Sequence, residues 1–312
     1  MSRLRVVLVA GEGAGAQVLR RLLASGHEVI RVLAESPTPA GASATPWQVA
    51  RAAGLPHGAP TEALAPGFPS WLSEERADLL LNVHALVILP QAVVEAPRIG
   101  SYNLHPGPLP ALAGLNAPSW AVYEGRTSHA VTLHRMTAGV DEGAIAYAAA
   151  FPLTEEDTGL SVSLRCAREG LPLVELLLRC AAEDPAAIPA LDQDPSLRRW
   201  HGRAAPDGGR LRWSRQAVDL ARLVRACDYG PFESPWGRPR ARHAGEEIEI
   251  LRARPTLDPA CGPPGSVRIS GDGRVTVATA DHGLELLSIR HRGHLLEPGS
   301  LIADGDRLDD GR

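Results

Sequence analysis

The sequence predicts an α/β protein, with a Rossmann-like parallel-sheet N-terminal domain and a small OB-like β-barrel after it. Three observations carry this. Leu4–Ala10 is a short β-branched apolar run, followed by Gly11-Glu-Gly13-Ala-Gly15, helical apolar spacing over Gln17–Ala24 and a second strand over His27–Leu33. Strand, turn, helix, strand is how a parallel sheet begins. A buried run at Asp78–Val83 and another at Gly100–Leu104 continue the sheet. Beyond residue 212 the pattern changes: Glu247–Ala253, Gly265–Ile269, Arg274–Ala278 and Leu284–Arg290 alternate, with a tight Ser270-Gly-Asp-Gly273 hairpin, as in a small antiparallel barrel.

The remaining elements follow in order. Residues 35–46 are rich in Pro, Ser, Thr and Gly and read as a loop, and Thr45 caps a helix with Pro46 at its first position. Leu55-Pro56-His57 returns the chain to the sheet. His84–Pro90 is a loop, Gln91–Ala96 a short helix and Pro118–Glu124 another. His129–Arg135 and Ala144–Pro152 read as strands flanking a loop that holds Asp141. Thr158 to Ala182 reads as one amphipathic helix containing Pro172, and Ser214–Ala226 as a further helix. Domain bounds follow: 1–182 the parallel-sheet domain, 183–212 a linker rich in Pro, Asp and Gly, 213–302 the OB-like domain, 303–312 a frayed tail.

The chain has 312 residues, enough for two domains, and a net charge of −4. It contains no lysine: all 32 basic residues are arginine. This excludes a Walker-type phosphate lysine, a Schiff-base lysine and a lysine base. Residues 206–312 hold 16 Arg against 16 Asp plus Glu. A domain that grips a nucleic-acid backbone should be strongly basic, so no nucleic-acid partner is expected, and Arg238, Arg240 and Arg242 read as a solvated loop. Cys166, Cys180, Cys227 and Cys261 have no C-x-x-C pairing, which points to reduced thiols, no metal and a cytoplasmic protein. No export signal or membrane span is legible.

The stretch from Tyr102 to Gly143 carries the chemistry. Asn103 and His105 are two apart, so at a strand end they share a face. An imidazole moves a proton near neutral pH, an amide can hydrogen-bond a developing oxyanion, and a carboxylate such as Asp141 can orient the imidazole. His134 stands equally well for structural or catalytic support. Gly11-x-Gly13-x-Gly15 with Glu35 admits a dinucleotide-dependent oxidoreductase, but the third glycine comes early and a tight turn accounts for all three.

Asn103-Leu104-His105, Leu109-Pro110, Gly114, Ala117-Pro118, Val131-Thr132-x-His134 and Asp141-x-Gly143 together resemble the signature of the folate-dependent formyltransferases. The resemblance covers most of the first two hundred residues. It implies 10-formyltetrahydrofolate as donor and Asn103, His105 and Asp141 as catalytic residues. Asn103 would donate to the formyl oxygen, protonated His105 would share that task, and Asp141 would set the His tautomer. It also implies a pterin site formed by Leu86, Val87, Ile88 and Leu89 on one side and Thr137, Ala138, Gly139 and Val140 on the other. Pro108, Leu109, Gly114 and Asn116 would line the acceptor site. One departure narrows the acceptor. The tRNA enzyme and many relatives have Leu-Pro-x-aromatic-Arg-Gly where this chain has Leu109-Pro-Ala-Leu-Ala113-Gly114, so an arginine clamp is missing. Leu115–Ala121 and Tyr229–Gly237 are similar to the formylation domains of nonribosomal peptide synthetases. The resemblance thus implies a small amine or an aminoacyl carrier protein as partner, in secondary metabolism. Sugar-amine and hydroxyornithine formylation, and hydrolysis of formyl-folate, are the alternatives.

Overall fold

The structure, a computed structural model, describes residues 2–37 and 44–310; part of the expected 35–46 loop and the end of the expected tail lie outside them. The chain divides into two compact units. The first takes in Met1–Gly114, His129–Phe151 and Ser163–His201; the second takes in Leu115–Ser128, Pro152–Val162 and Gly202–Arg312. The division is interleaved along the chain, unlike the expected order of 1–182, a 183–212 linker and 213–302. Residues 183–201 belong with the first unit, and 115–128 and 152–162 with the second, because long-range pairing outweighs the loop-like composition that suggested a linker.

The first unit opens with β1 (Arg5–Ala10), α1 (Glu12–Ala24), β2 (Glu28–Leu33), α2 (Pro46–Ala52) and β3 (His57–Gly58). Thr45 caps α2 through a capping box: its Oγ1 accepts from Gln48 N–H at 3.3 Å, and Gln48 Oε1 accepts from Thr45 N–H at 2.9 Å. α3 (Phe68–Glu74), β4 (Leu79–Val83), α4 (Gln91–Glu95), β5 (Gly100–His105) and β6 (Ala113–Gly114) follow. After α5 (Ala117–Tyr123) come β7 (Ser128–Arg135), β8 (Ile145–Pro152), α6 (Gly159–Glu183) and β9 (Trp200–His201). The sheet is seven-stranded in the order β3-β2-β1-β4-β5-β7-β8. β1 to β5 pair in parallel and β7 joins β5 antiparallel. Strand order reverses between β1 and β4, the point at which such sheets open a crevice at their carboxyl edge.

Of the glycines after β1, Gly11 is the extended N-cap residue of α1, and Gly13 and Gly15 lie inside the helix. A Cβ on Gly11 would meet the His84 carbonyl oxygen at 2.4 Å, and one on Gly15 would meet Ala10 Cβ at 2.7 Å. Close packing therefore accounts for both. One face of the sheet packs Val7, Val9, Ile30, Leu33 and Leu80 against Phe68, Leu72, Val93 and Val94. Gly170 of α6 lets that helix sit closely on β5, where an added Cβ would meet Leu104 Cδ2 at 2.8 Å.

The second unit contains α5, α7 (Ala217–Ala226), β10 (Arg240–His243), β11 (Glu246–Pro259), β12 (Val267–Ile269), β13 (Val275–Ala278), β14 (His282–His291), β15 (His294–Leu296) and β16 (Leu308–Asp309). The strands form a seven-stranded sheet in the order β12-β13-β14-β11-β10-β16, with β15 on β14. It curls until its edges meet: Val267 N–H donates to Asp306 O at 2.9 Å and Leu308 N–H to Gly265 O at 2.8 Å. Two expectations are corrected here. The arginine-rich stretch is strand β10, with Ala241 fully buried between Arg240 and Arg242. The frayed tail is instead β16, where buried Leu308 pairs with His243.

Candidate active site

β5 delivers Asn103 and His105 to the carboxyl edge of the first unit's sheet. Antiparallel register sets His134 of β7 directly opposite Asn103, and Thr132 opposite His105. The connection from β7 to β8 brings Asp141 to the same place. His105, His134 and Asp141 are all buried, at 3%, 2% and 7% exposure.

Asp141 is the hub. Its Oδ2 accepts from Gly114 N–H at 2.8 Å and faces His105 Nδ1 at 3.5 Å. Its Oδ1 faces His134 Nε2 at 3.4 Å and accepts from Asn103 Nδ2 at 3.4 Å. The other Asn103 amide hydrogen reaches His134 Nε2 at 3.1 Å. His105 Nε2 lies 2.7 Å from the Leu112 carbonyl oxygen. A carbonyl cannot donate, so Nε2 carries the proton and Nδ1 holds the lone pair. The Leu112 carbonyl thus sets the His105 tautomer, a task the sequence assigned to Asp141. His134 is oriented likewise: its Nδ1 donates to Arg135 O at 2.9 Å, leaving Nε2 to accept from Asn103.

Burial pushes the His105 imidazole below its ordinary value of 6.5; neighbouring Asp141 opposes this without reversing it. Burial pushes the Asp141 carboxyl up, but His105, His134 and the Gly114 N–H together hold it at about 2. The pair is therefore carboxylate and neutral imidazole near neutral pH. A pH dependence follows. The acid limb of kcat/KM should fall below 6.5, since activity is lost only when His105 protonates. Lowered pKa values mean that the unfolded chain binds protons first, so stability should also decline as pH drops below 6.5, and again between 3.8 and about 2 as Asp141 protonates. Initial rates and urea melts across that range check both signs.

The other expected site residues are distributed unevenly. The loop after β4 alternates: Leu86 and Ile88 stand in solvent at 73% and 72% exposure, while Leu89 is buried at 5% and packs, with Val87, into the core. Leu86 and Ile88 are therefore the side chains this loop presents, and Val87 and Leu89 its anchors. Met136, just before the segment Thr137, Ala138, Gly139 and Val140, packs against the same core cluster as Ala85 and Val87. Thr137 Oγ1 donates to Gly139 O at 3.1 Å, and Val140 is exposed. Leu109 is buried, its N–H donating to Thr132 Oγ1 at 3.3 Å, so it supports the turn rather than offering a side chain; Pro108 is half-buried beside it. Asn116 caps α5 with φ +60° and donates to Arg203 O at 3.3 Å in the second unit. Trp120 and Trp236 pack edge-to-face at 4.8 Å there. Among the described residues no group of three or more His, Cys, Asp or Glu is arranged to hold a metal ion, and no helix is long and apolar enough to cross a membrane.

Fold and cluster together place a buried, neutral imidazole beside a carboxylate at the carboxyl edge of a Rossmann-like sheet. Residues 4–174 match the formyl transferase family, and residues 204–306 match the formyl transferase C-terminal domain. A methionyl-tRNA formyltransferase of Pseudomonas fluorescens is 32% identical over 295 residues, 93% of this chain and 90% of that protein. An N-formyltransferase from Helicobacter canadensis, solved with folinic acid and dTDP-3-aminofucose, has a TM-score of 0.68 at 14% identity, over 91% of this chain and 98% of that one. A glycinamide ribonucleotide transformylase from Symbiobacterium toebii has a TM-score of 0.51 at 25% identity, over 62% of this chain and 95% of that one. The chain belongs to the formyl transferase family and is an N-formyltransferase.

Proposed function

We propose that the enzyme formylates the amine of a small acceptor of amino-acid or aminoacyl type, free or held on a carrier protein, in secondary metabolism such as nonribosomal peptide synthesis. The observation that carries this reading is Ala113. It stands where the pattern this turn resembles, Leu-Pro-x-aromatic-Arg-Gly, has its arginine, so a phosphate or carboxylate clamp at that position is missing, and it is fully buried with its backbone paired to Trp200. The balance of 16 Arg against 16 acidic residues over 206–312 supports it, since tRNA affinity needs net positive charge.

In the mechanism, the neutral amine attacks the formyl carbon of 10-formyltetrahydrofolate. His105 Nδ1 takes the amine proton, and Asp141 Oδ2, 3.5 Å away, stabilises the imidazolium that results. Asn103 gives up its longer bond, 3.4 Å to Asp141, and donates to the oxyanion. The bond from the formyl carbon to the folate nitrogen then breaks, and the same proton moves to that nitrogen. Leu86 and Ile88, apolar and exposed, with Val140, supply walls for the pterin ring. Holding two partners in register supplies much of the rate.

Similarity to methionyl-tRNA formyltransferases favours a second reading, transfer to an aminoacyl-tRNA. Competition decides between them. With 10-formyltetrahydrofolate fixed, kcat/KM is measured for amino acids, hydroxyornithine, aminoacyl carrier proteins, nucleotide-linked aminosugars and methionyl-tRNA. An amino-acid or carrier-bound amine is expected to lead. Methionyl-tRNA in first place, with a rate that falls steeply with salt, would overturn the proposal.

A further inference from the structure

The geometry points to the segment 191–201 as a strap that sets the catalytic geometry, with Gln193 and Arg198 as positioning residues for Asp141. This rests on Asp141 acting as proposed above. Asp141 has φ +58°, a left-handed conformation that a non-glycine residue keeps only with support. Gln193 supplies it: Nε2 donates to Asp141 O at 2.9 Å and to Gly143 O at 2.7 Å. One amide thus ties together the two carbonyls that flank the turn. Both are acceptors, so the amide end facing them must be the NH2 group. Arg198 secures the preceding residue, donating from Nη2 to Val140 O at 3.1 Å, and pairs with Glu142 at 3.3 Å. Leu191 and Ile145 exchange backbone hydrogen bonds of 2.8 and 2.9 Å. Every residue from 140 to 143, and Ile145 beyond, is fastened to this one segment.

The same segment reaches the imidazole. Ala113 N–H donates to Arg199 O at 3.0 Å, Arg199 N–H donates to Pro110 O at 3.2 Å, and β6 pairs with β9. Between those ties lie the Leu112 carbonyl, which accepts from His105, and the Gly114 N–H, which donates to Asp141. The strap therefore holds the carboxylate loop with one end and the imidazole's tautomer-setting turn with the other. It governs the 3.5 Å gap between His105 and Asp141. Displacing a reacting group by a fraction of an ångström is costly even when no contact to substrate is lost.

The test uses the full chain with 10-formyltetrahydrofolate and its preferred amine, comparing Gln193→Leu with Asp141→Asn and wild type. Gln193→Leu keeps the side-chain volume and removes both donors. It should lower kcat by ~10- to 100-fold with KM for both substrates little changed. It should also move the acid limb of kcat/KM to lower pH, because the carboxylate that raises the His105 pKa no longer faces it. Arg198→Met, which leaves Gln193 in place, should show the same shift with a smaller loss, and it serves if Gln193→Leu does not fold. Wild-type kcat in both strap variants beside an inactive Asp141→Asn would overturn the proposal. So would lower kcat or melting temperature with an unmoved acid limb, which would make the strap a structural latch. Wild-type activity in Asp141→Asn would instead overturn the reading of Asp141.

Discussion

His105→Ala should lower kcat for formyl transfer by ~100-fold or more, the scale of a lost general acid–base group. The imidazole is buried, its tautomer is set by Leu112 O at 2.7 Å, and its lone pair faces Asp141 at 3.5 Å. Burial keeps it neutral and ready to accept a proton. Alanine removes that acceptor and leaves Asp141 without the imidazolium it would stabilise. His105→Asn, which retains a polar side chain but no basic nitrogen, should lose as much. Initial rates of tetrahydrofolate release, with the N-formyl product quantified in parallel, check this; wild-type turnover in either variant would remove His105 from the mechanism.

Gly114→Ala should destabilise the fold by about 3 kcal/mol, the usual scale for backbone strain combined with a steric conflict. Gly114 has φ +96°, and a Cβ there would meet the His201 carbonyl oxygen at 2.2 Å. That oxygen belongs to the backbone of β9 and cannot rotate away as a side chain could. The Gly114 N–H also donates to Asp141 at 2.8 Å, so any shift that relieves the clash loosens the carboxylate. Stability and kcat should therefore fall together. Urea unfolding and steady-state kinetics on the same preparation measure both, and an alanine variant as stable and active as wild type would contradict the geometry.

Much of this site was legible because its signals are local. Asn103 and His105 sit two apart on one strand, Asp141 precedes a glycine in a turn, and Thr45-Pro46 with Gln48 announces a helix start. What escaped depends on pairing between distant residues. His134 is Asn103's cross-strand partner only once the antiparallel register is known. Gln193 and Arg198 lie in a stretch whose Pro and Asp content reads as a linker, and their hydrogen bonds reach back 50 to 58 residues. β10 was missed because a four-residue strand with Arg at alternate positions has one buried side chain, Ala241, to betray it. The alternation in the loop after β4, with Leu86 and Ile88 in solvent and Leu89 in the core, likewise depends on the fold around it and not on composition.

The most direct measurement is mass spectrometry after a single turnover with a donor carrying 13C in its formyl group and a pool of candidate amines. The predicted result is label on an N-formyl amine, none on the protein, and no such product from His105→Ala. Label recovered only as formate, or attached covalently to a side chain, would contradict direct transfer at this site.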